Sequence, residues 1–137
     1  MDFLEKVNYC DLNARQKENY NFQKIAGKLA EYGFNCMRLT DDWHGADFLA
    51  YHVNGSSMLK VQVKGRLSIN RKYKNKDIYI SFRNGADIYF IPHDKIMNAI
   101  LKKNKINTSK SWEHRGSYSW RQMPSWILDI IVRYKLD

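Results

Sequence analysis

The dipeptide Asn54-Gly55, set between two runs of alternating apolar and polar residues, constrains the fold more than any other feature of the chain. Both residues tolerate the positive φ that a two-residue type I′ hairpin turn demands. Residues 46–53 therefore read as a strand and 58–64 as its antiparallel partner. With Asn54 and Gly55 in the turn, Val53 pairs with Ser56, and paired residue numbers sum to 109. Asp47 then lies across from Gln62. Cross-strand partners leave the same face with Cβ atoms about 4.5–5.5 Å apart, and Lys64, two residues beyond Gln62, shares that face. The other face collects Ala46, Phe48, Ala50, Leu59, Val61 and Val63 and is apolar throughout. A four-residue turn preserves this parity, whereas an odd loop without a bulge reverses it.

Around the hairpin the periodicity is mixed. Residues 13–32 carry Phe22, Ile25, Ala26, Leu29 and Ala30 at helical spacing, and Gly33 supplies the stop. A short strand over 34–39 is expected to end in a polar loop, residues 40–45. A second hairpin is expected from 77–82 and 86–91, turning at Asn84-Gly85. Pro92 opens a helix near 93–103. A polar connection bearing Trp112, Tyr118 and Trp120 follows, and its tryptophans are expected to close the core under a last helix. That helix starts at about Pro124, with Trp126, Ile127, Ile130, Ile131 and Tyr134 at its spacing. No repeat, low-complexity tract or linker interrupts residues 1–137, which read as one domain of α/β or α+β type with a mixed sheet.

Composition narrows the class. Hydrophobic residues at 44% and aromatics at 14% supply a core, which excludes intrinsic disorder. No run approaches the ~18 apolar residues of a membrane span. The first residues lack the apolar segment of a secretory signal, and Cys10 and Cys36 form no CxxC pair; a reducing, cytoplasmic setting is expected. Against 14 Asp and Glu stand 23 Lys and Arg, a net charge of +9. Such an excess favours a polyanion, because lysine and arginine release condensed counterions when they meet phosphates. Arg66, Arg71, Lys72, Lys74 and Lys76, interrupted by Tyr73, suit a nucleic-acid backbone with a base to stack. Lys102, Lys103, Lys105 and Lys110 form a second cluster.

The polar end of the first hairpin has a chemical use. Asp47 can hold a hard cation such as Mg²⁺ through oxygen, with Gln62 adding a neutral carbonyl ligand. Such a metal polarises a phosphoryl oxygen and acidifies bound water, and Lys64 can steady charge developing on phosphate. The competing reading is a surface ion pair between Asp47 and Lys64, which contributes little. Asp41 or Asp42 can supply a further negative charge, or simply cap the local turn. No HExxH, Walker glycine loop or GxGxxG motif is present.

These segments resemble the PD-(D/E)XK nucleases, and within them small Holliday-junction-resolvase-like and restriction-like proteins. The likeness runs from Phe22 to about Ile80: a helix ending in EYGF, then MRL, then GADFLAYHVNG, then LKVQVKGR. It implies a restriction-endonuclease-like α/β fold, with a central mixed five-stranded sheet flanked by helices in the order α-β-β-β-β-β-α-α. It places Asp47 at the motif's first acid, Gln62 at its second and Lys64 at its lysine. Glu18, one turn before Phe22, corresponds to the further helical acid of resolvase-like members. Arg66 and Arg71 would lie beside the scissile phosphate. The expected activity is hydrolysis of DNA phosphodiester bonds with Mg²⁺ or Mn²⁺, on a possible homodimer, since cutting two strands symmetrically calls for two sites. Gln62 stands where the family usually has Asp or Glu. That substitution supports a rival expectation, a nucleic-acid-binding domain on the same fold without catalysis. A third is a protein-interaction domain whose charge is incidental.

Overall fold

The computed structural model describes residues 3–137. Helix α1 (Ala14–Ala30) leads into strands β1 (Phe34–Trp43), β2 (Ala46–His52) and β3 (Met58–Val63). After the short β4 (Ser68–Asn70) come β5 (Ile78–Asn84), β6 (Asp87–Pro92) and α2 (His93–Lys102), then β7 (Ser117–Ser119) and α3 (Ser125–Ile131). Five strands form one sheet in the order β1-β2-β3-β5-β6, and β4 pairs with β7 as a separate ribbon. Only β3 and β5 run parallel; the other neighbours are antiparallel. The molecule is thus α/β, with a mixed five-stranded sheet flanked by helices.

The register expected for the first hairpin is the observed one: Phe48 pairs with Val61, Leu49 with Lys60 and Ala50 with Leu59. Its turn is wider than two residues. His52 N–H donates to Ser57 O at 2.9 Å and Gly55 N–H to His52 O at 3.0 Å, leaving residues 53–56 to reverse the chain. An even-numbered loop keeps every side chain on its expected face.

Two turns differ from expectation. Residues 40–43 continue β1 through an irregularity between Arg38 and Trp43. The reversal is made by His44 and Gly45, with φ of +53° and +87°, so that Trp43 pairs with Ala46. Positive φ at both central residues is the demand of a tight hairpin turn, and glycine meets it without strain. In the second hairpin Asn84 pairs with Asp87, which puts Gly85 and Ala86, rather than Asn84 and Gly85, at the turn.

Each sheet face has its own core. On one, Ile25 and Leu29 of α1 pack against Phe48, Ala50, Val61 and Ile88. The N-terminus of α1 is closed by a capping box: Gln16 N–H donates to Asn13 Oδ1 at 2.8 Å, and Asn13 N–H to Gln16 Oε1 at 2.9 Å. Ala30, expected on the buried stripe, is exposed. On the other face α2 and α3 cover β5 and β6 through Ile78, Ile80, Phe82, Ile91, Ile96, Ile100, Ile127 and Ile131. Trp112 and Trp120 complete that core, as expected of the aromatic connection, although this segment also forms a π-helical turn (Ser111–Arg115) and β7. Among the described residues no helix is long and apolar enough to cross a membrane.

Candidate functional site

Beyond Phe48 and Val61 the hairpin strands part. The Val63 N–H is taken by Asp47, whose Oδ2 accepts at 2.9 Å. A side chain that replaces a ladder partner is fixed at both ends, so the Asp47 carboxylate is held in the gap between the strands. Its pKa is raised above the ordinary carboxylate value, first by burial and further by the charge of Glu18; the Val63 hydrogen bond, Lys64 and Arg38 oppose the rise. Lys64 is displaced in the complementary direction. Burial lowers its pKa, and Asp47 partly restores it. The lysine's backbone is tied to β5, its N–H donating to Ser81 O at 2.9 Å, and its Nζ lies 5.4 Å from the centre of the Tyr73 ring.

Asp47 interacts with charges on both sides of the sheet end, Glu18 and Arg38 towards α1 and Lys64 on the other. Towards α1 it lines a cleft of about 120 Å³ with Glu18, Phe22, Arg38, Leu39 and Val63. A wider opening bounded by Arg15, Glu18, Arg38, Leu39 and Thr40 adjoins it. Glu18 reaches this mouth because it sits one turn ahead of Phe22, on the side of α1 that Ile25 and Leu29 bury. Lys64 and Gln62 belong to the opposite face of β3, where Gln62 is half-buried beside Ile80 of β5. Asp47, Glu18 and Lys64 are therefore brought into electrostatic contact at one end of the sheet. Gln62 follows Asp47 in register but does not line the cleft that Asp47 shares with Glu18.

Arg38 is a site residue that the sequence reading missed. It lies over the Phe22 ring at 5.4 Å, hydrogen-bonds Asn19 and favours ionisation of Asp47. The signal was present: Phe34, Cys36 and Arg38 alternate along β1, so a cation falls on a face otherwise apolar.

Among the residues proposed to meet nucleic acid, Tyr73 requires correction. It is 4% exposed and belongs to the second core, where Gly45 allows close approach: a Cβ there would come 3.3 Å from the Tyr73 ring. No face of it is left for a base. Lys72 places its ammonium 5.1 Å from that ring, and Arg71 lies over Trp112 at 4.6 Å. Lys72 and Lys74 are exposed, and Arg66 lies at a separate cavity beyond Lys64. Asp41 and Asp42 are exposed on the irregular end of β1 rather than in a turn.

Among the described residues no group of three or more His, Cys, Asp or Glu side chains is placed to hold a metal ion. Two carboxylates, Asp47 and Glu18, do converge. That set suits Mg²⁺, which commonly takes only one or two protein carboxylates and completes its shell with water and phosphate oxygens. No family model, curated protein or solved structure matches this chain.

Proposed function

We propose that the chain is a metal-dependent endonuclease of the restriction-endonuclease-like fold that hydrolyses phosphodiester bonds in DNA, with Asp47, Glu18 and Lys64 at its centre. One observation carries this reading: a half-buried carboxylate and a half-buried ammonium, their pKa values displaced toward each other, meet a second carboxylate at a sheet end. Groups so perturbed mark functional sites more often than ordinary surface ion pairs do. Asp47 and Glu18 would hold Mg²⁺ or Mn²⁺, with the amide of Gln62 as a neutral neighbour. The ion would supply a polarised phosphoryl oxygen and an acidified water. Lys64 places positive charge where negative charge develops on the phosphate, and a partly desolvated ammonium acts there more strongly than one in bulk water. Arg38 opposes the rise in the Asp47 pKa. Arg71, Lys72 and Lys74 attract the DNA backbone through charge alone.

Purified protein with Mg²⁺ or Mn²⁺ is expected to nick or cut single-stranded, duplex or branched DNA, and Asp47→Ala and Lys64→Ala each to abolish cleavage. Cleavage that survives both substitutions would rule out this site. The neutral Gln62 favours the second reading, a DNA-binding domain without catalysis. It predicts salt-sensitive binding, no cleavage and no divalent cation held at Asp47.

A further inference from the structure

A second charged concavity lies beyond Lys64, past the end of β3. It is a cavity of about 320 Å³, and Arg66, Arg83 and Arg121 contribute to its walls, with no Asp or Glu among its lining residues. Among the described residues none of these three arginines forms an ion pair. Its apolar lining open to solvent is Met123, half-buried, and Leu128, 39% exposed on α3, whereas Leu67, Phe82 and Trp120 back it from the core. Asn84 and Gln122 add two exposed amides, each with a donor and an acceptor.

Arg83 is held rigidly at the boundary. Its guanidinium lies 5.0 Å from the Tyr9 ring centre and 4.8 Å from that of Tyr20. Its Nε donates to Asn21 Oδ1 at 2.8 Å and its Nη1 to Gly85 O at 3.2 Å. Held in this way it forms a fixed cationic partition, whereas Arg66 and Arg121 are exposed and free to close on a ligand.

We infer that this cavity binds one unpaired nucleotide of a DNA strand. Arg66 and Arg121 take its phosphate, because guanidinium forks match phosphate oxygens bidentately. Met123 and Leu128 take the apolar face of the base, and the amides of Asn84 and Gln122 reach its polar edge. The volume sits at the lower end of ligand pockets, about 300–1,000 Å³. It suits one nucleotide, not the breadth of a duplex. Gly65, which also lines the cavity, follows Lys64 directly, so the bound nucleotide would neighbour the phosphate presented to Lys64. The inference concerns binding and does not depend on catalysis at Asp47.

The test is fluorescence anisotropy of the full chain in EDTA with a short fluorescein-labelled single-stranded oligodeoxynucleotide. The comparison probes are a strand of equal length made of abasic sites and a blunt duplex of the same sequence. The abasic strand keeps every phosphate and is expected to bind roughly five- to tenfold more weakly, reflecting the lost base contact. Arg121→Ala and Arg66→Ala are each expected to weaken binding of the normal strand and to lower its salt slope by about 0.7. Lys95→Ala, exposed on α2 and outside the lining of this cavity, is expected to change neither. Equal affinity for normal and abasic strands would overturn the inference, as would a duplex bound as tightly as the strand. Unchanged binding by both arginine variants would overturn it too. The side chains of Arg66 and Arg121 are exposed, so these substitutions leave the core intact. With no divalent metal present, failure here and failure of the nuclease reading are separate results.

Discussion

Replacing Asp47 by alanine and by asparagine separates the cost of holding a carboxylate at the sheet end from the hydrogen bond it makes. The carboxylate accepts the Val63 N–H at 2.9 Å. Alanine leaves that donor without its partner in a half-buried position, a loss of about 1–3 kcal/mol. Asparagine keeps an oxygen that can accept the same N–H and removes the charge that burial and Glu18 disfavour. The sign of the linkage follows from the raised folded-state pKa. A carboxyl that prefers its proton in the folded state contributes stability below its unfolded value, near 3.9, and loses that contribution as pH rises through the higher folded value. At neutral pH, therefore, Asp47→Asn is expected to match or exceed the parent in stability, and its advantage to vanish below about pH 4. Asp47→Ala should lie about 1–3 kcal/mol below the parent, which for a chain of 137 residues is a fall in Tm of roughly 3–12 °C. Urea unfolding at pH 7 and at pH 3.5 measures both, and cleavage is expected to be lost in both variants. Equal destabilisation by alanine and asparagine at pH 7 would refute the claim that Asp47 is a stability cost retained for chemistry.

At Gly45, φ is +87° and an added Cβ would come 2.5 Å from Cδ1 of Ile78. Gly45→Ala should consequently cost roughly 1–3 kcal/mol, read as a lower urea midpoint at unchanged slope. Gln62→Glu places an acid across the strands from Asp47 and should tighten Mn²⁺ binding by calorimetry while lowering stability in metal-free buffer; unchanged Mn²⁺ affinity would remove Gln62 from the metal's surroundings. His93 is 1% exposed, and its Nε2 accepts Asn70 N–H at 3.1 Å while Nδ1 meets Asp94 Oδ1 at 2.9 Å. Burial lowers its pKa, with Asp94 opposing and Lys64 adding to the fall. Because the folded form resists protonation, its contribution is present above the unfolded pKa, about 6.5, and is lost as pH falls through the lower folded value. The protection factor of the Asn70 amide, its exchange corrected for the intrinsic fall of the rate with pH, should drop across that interval, and a flat protection factor would show that His93 keeps its neutral form throughout.

The parts of this fold legible in the sequence are those set by a period of two or of 3.6. Phe48, Ala50, Val61 and Leu59 had to share a face, and that parity carried Asp47 and Lys64 to one end of the hairpin even though the turn proved wider than Asn54-Gly55 alone. Less legible was any turn whose signal is a single glycine. His44-Gly45 reads as loop because His-Gly is not one of the dipeptides that signal a two-residue hairpin turn, and the bulge that extends β1 to Trp43 has no periodic signature at all. The β4–β7 ribbon was hidden for a different reason: three-residue strands are too short to show alternation, and their pairing joins residues distant in the chain. Tyr73 illustrates the limit of reading charge clusters. Interleaved with Arg71, Lys72 and Lys74 it resembles a stacking residue, yet the same spacing serves a core tyrosine with Lys72 over its ring. Sequence adjacency to cations cannot separate those cases, because exposure depends on what packs from elsewhere, here Gly45 of the β1–β2 turn.

Arg38 and Glu18 show the converse, and they bear on why the site lies where it does. Each is a charge on an otherwise apolar stripe, one on β1 and one on α1. In a core such a charge would be costly unless paired, so the fold must carry both to an edge of the α1–sheet interface. The edge available is the one where β2 and β3 part, which is also where Asp47 replaces a lost ladder partner. Strand separation, an orphaned amide and misplaced charges thus converge on one end of the sheet, with Lys64 and the arginine-lined cavity beyond it. A chain in which Glu18 and Arg38 were apolar would extend its core over that end and cover Asp47. Glu18→Leu with Arg38→Leu should therefore raise stability, measured by urea unfolding, while removing cleavage and Mn²⁺ binding. A double variant that loses stability would show that these charges support the fold rather than keep the cleft open.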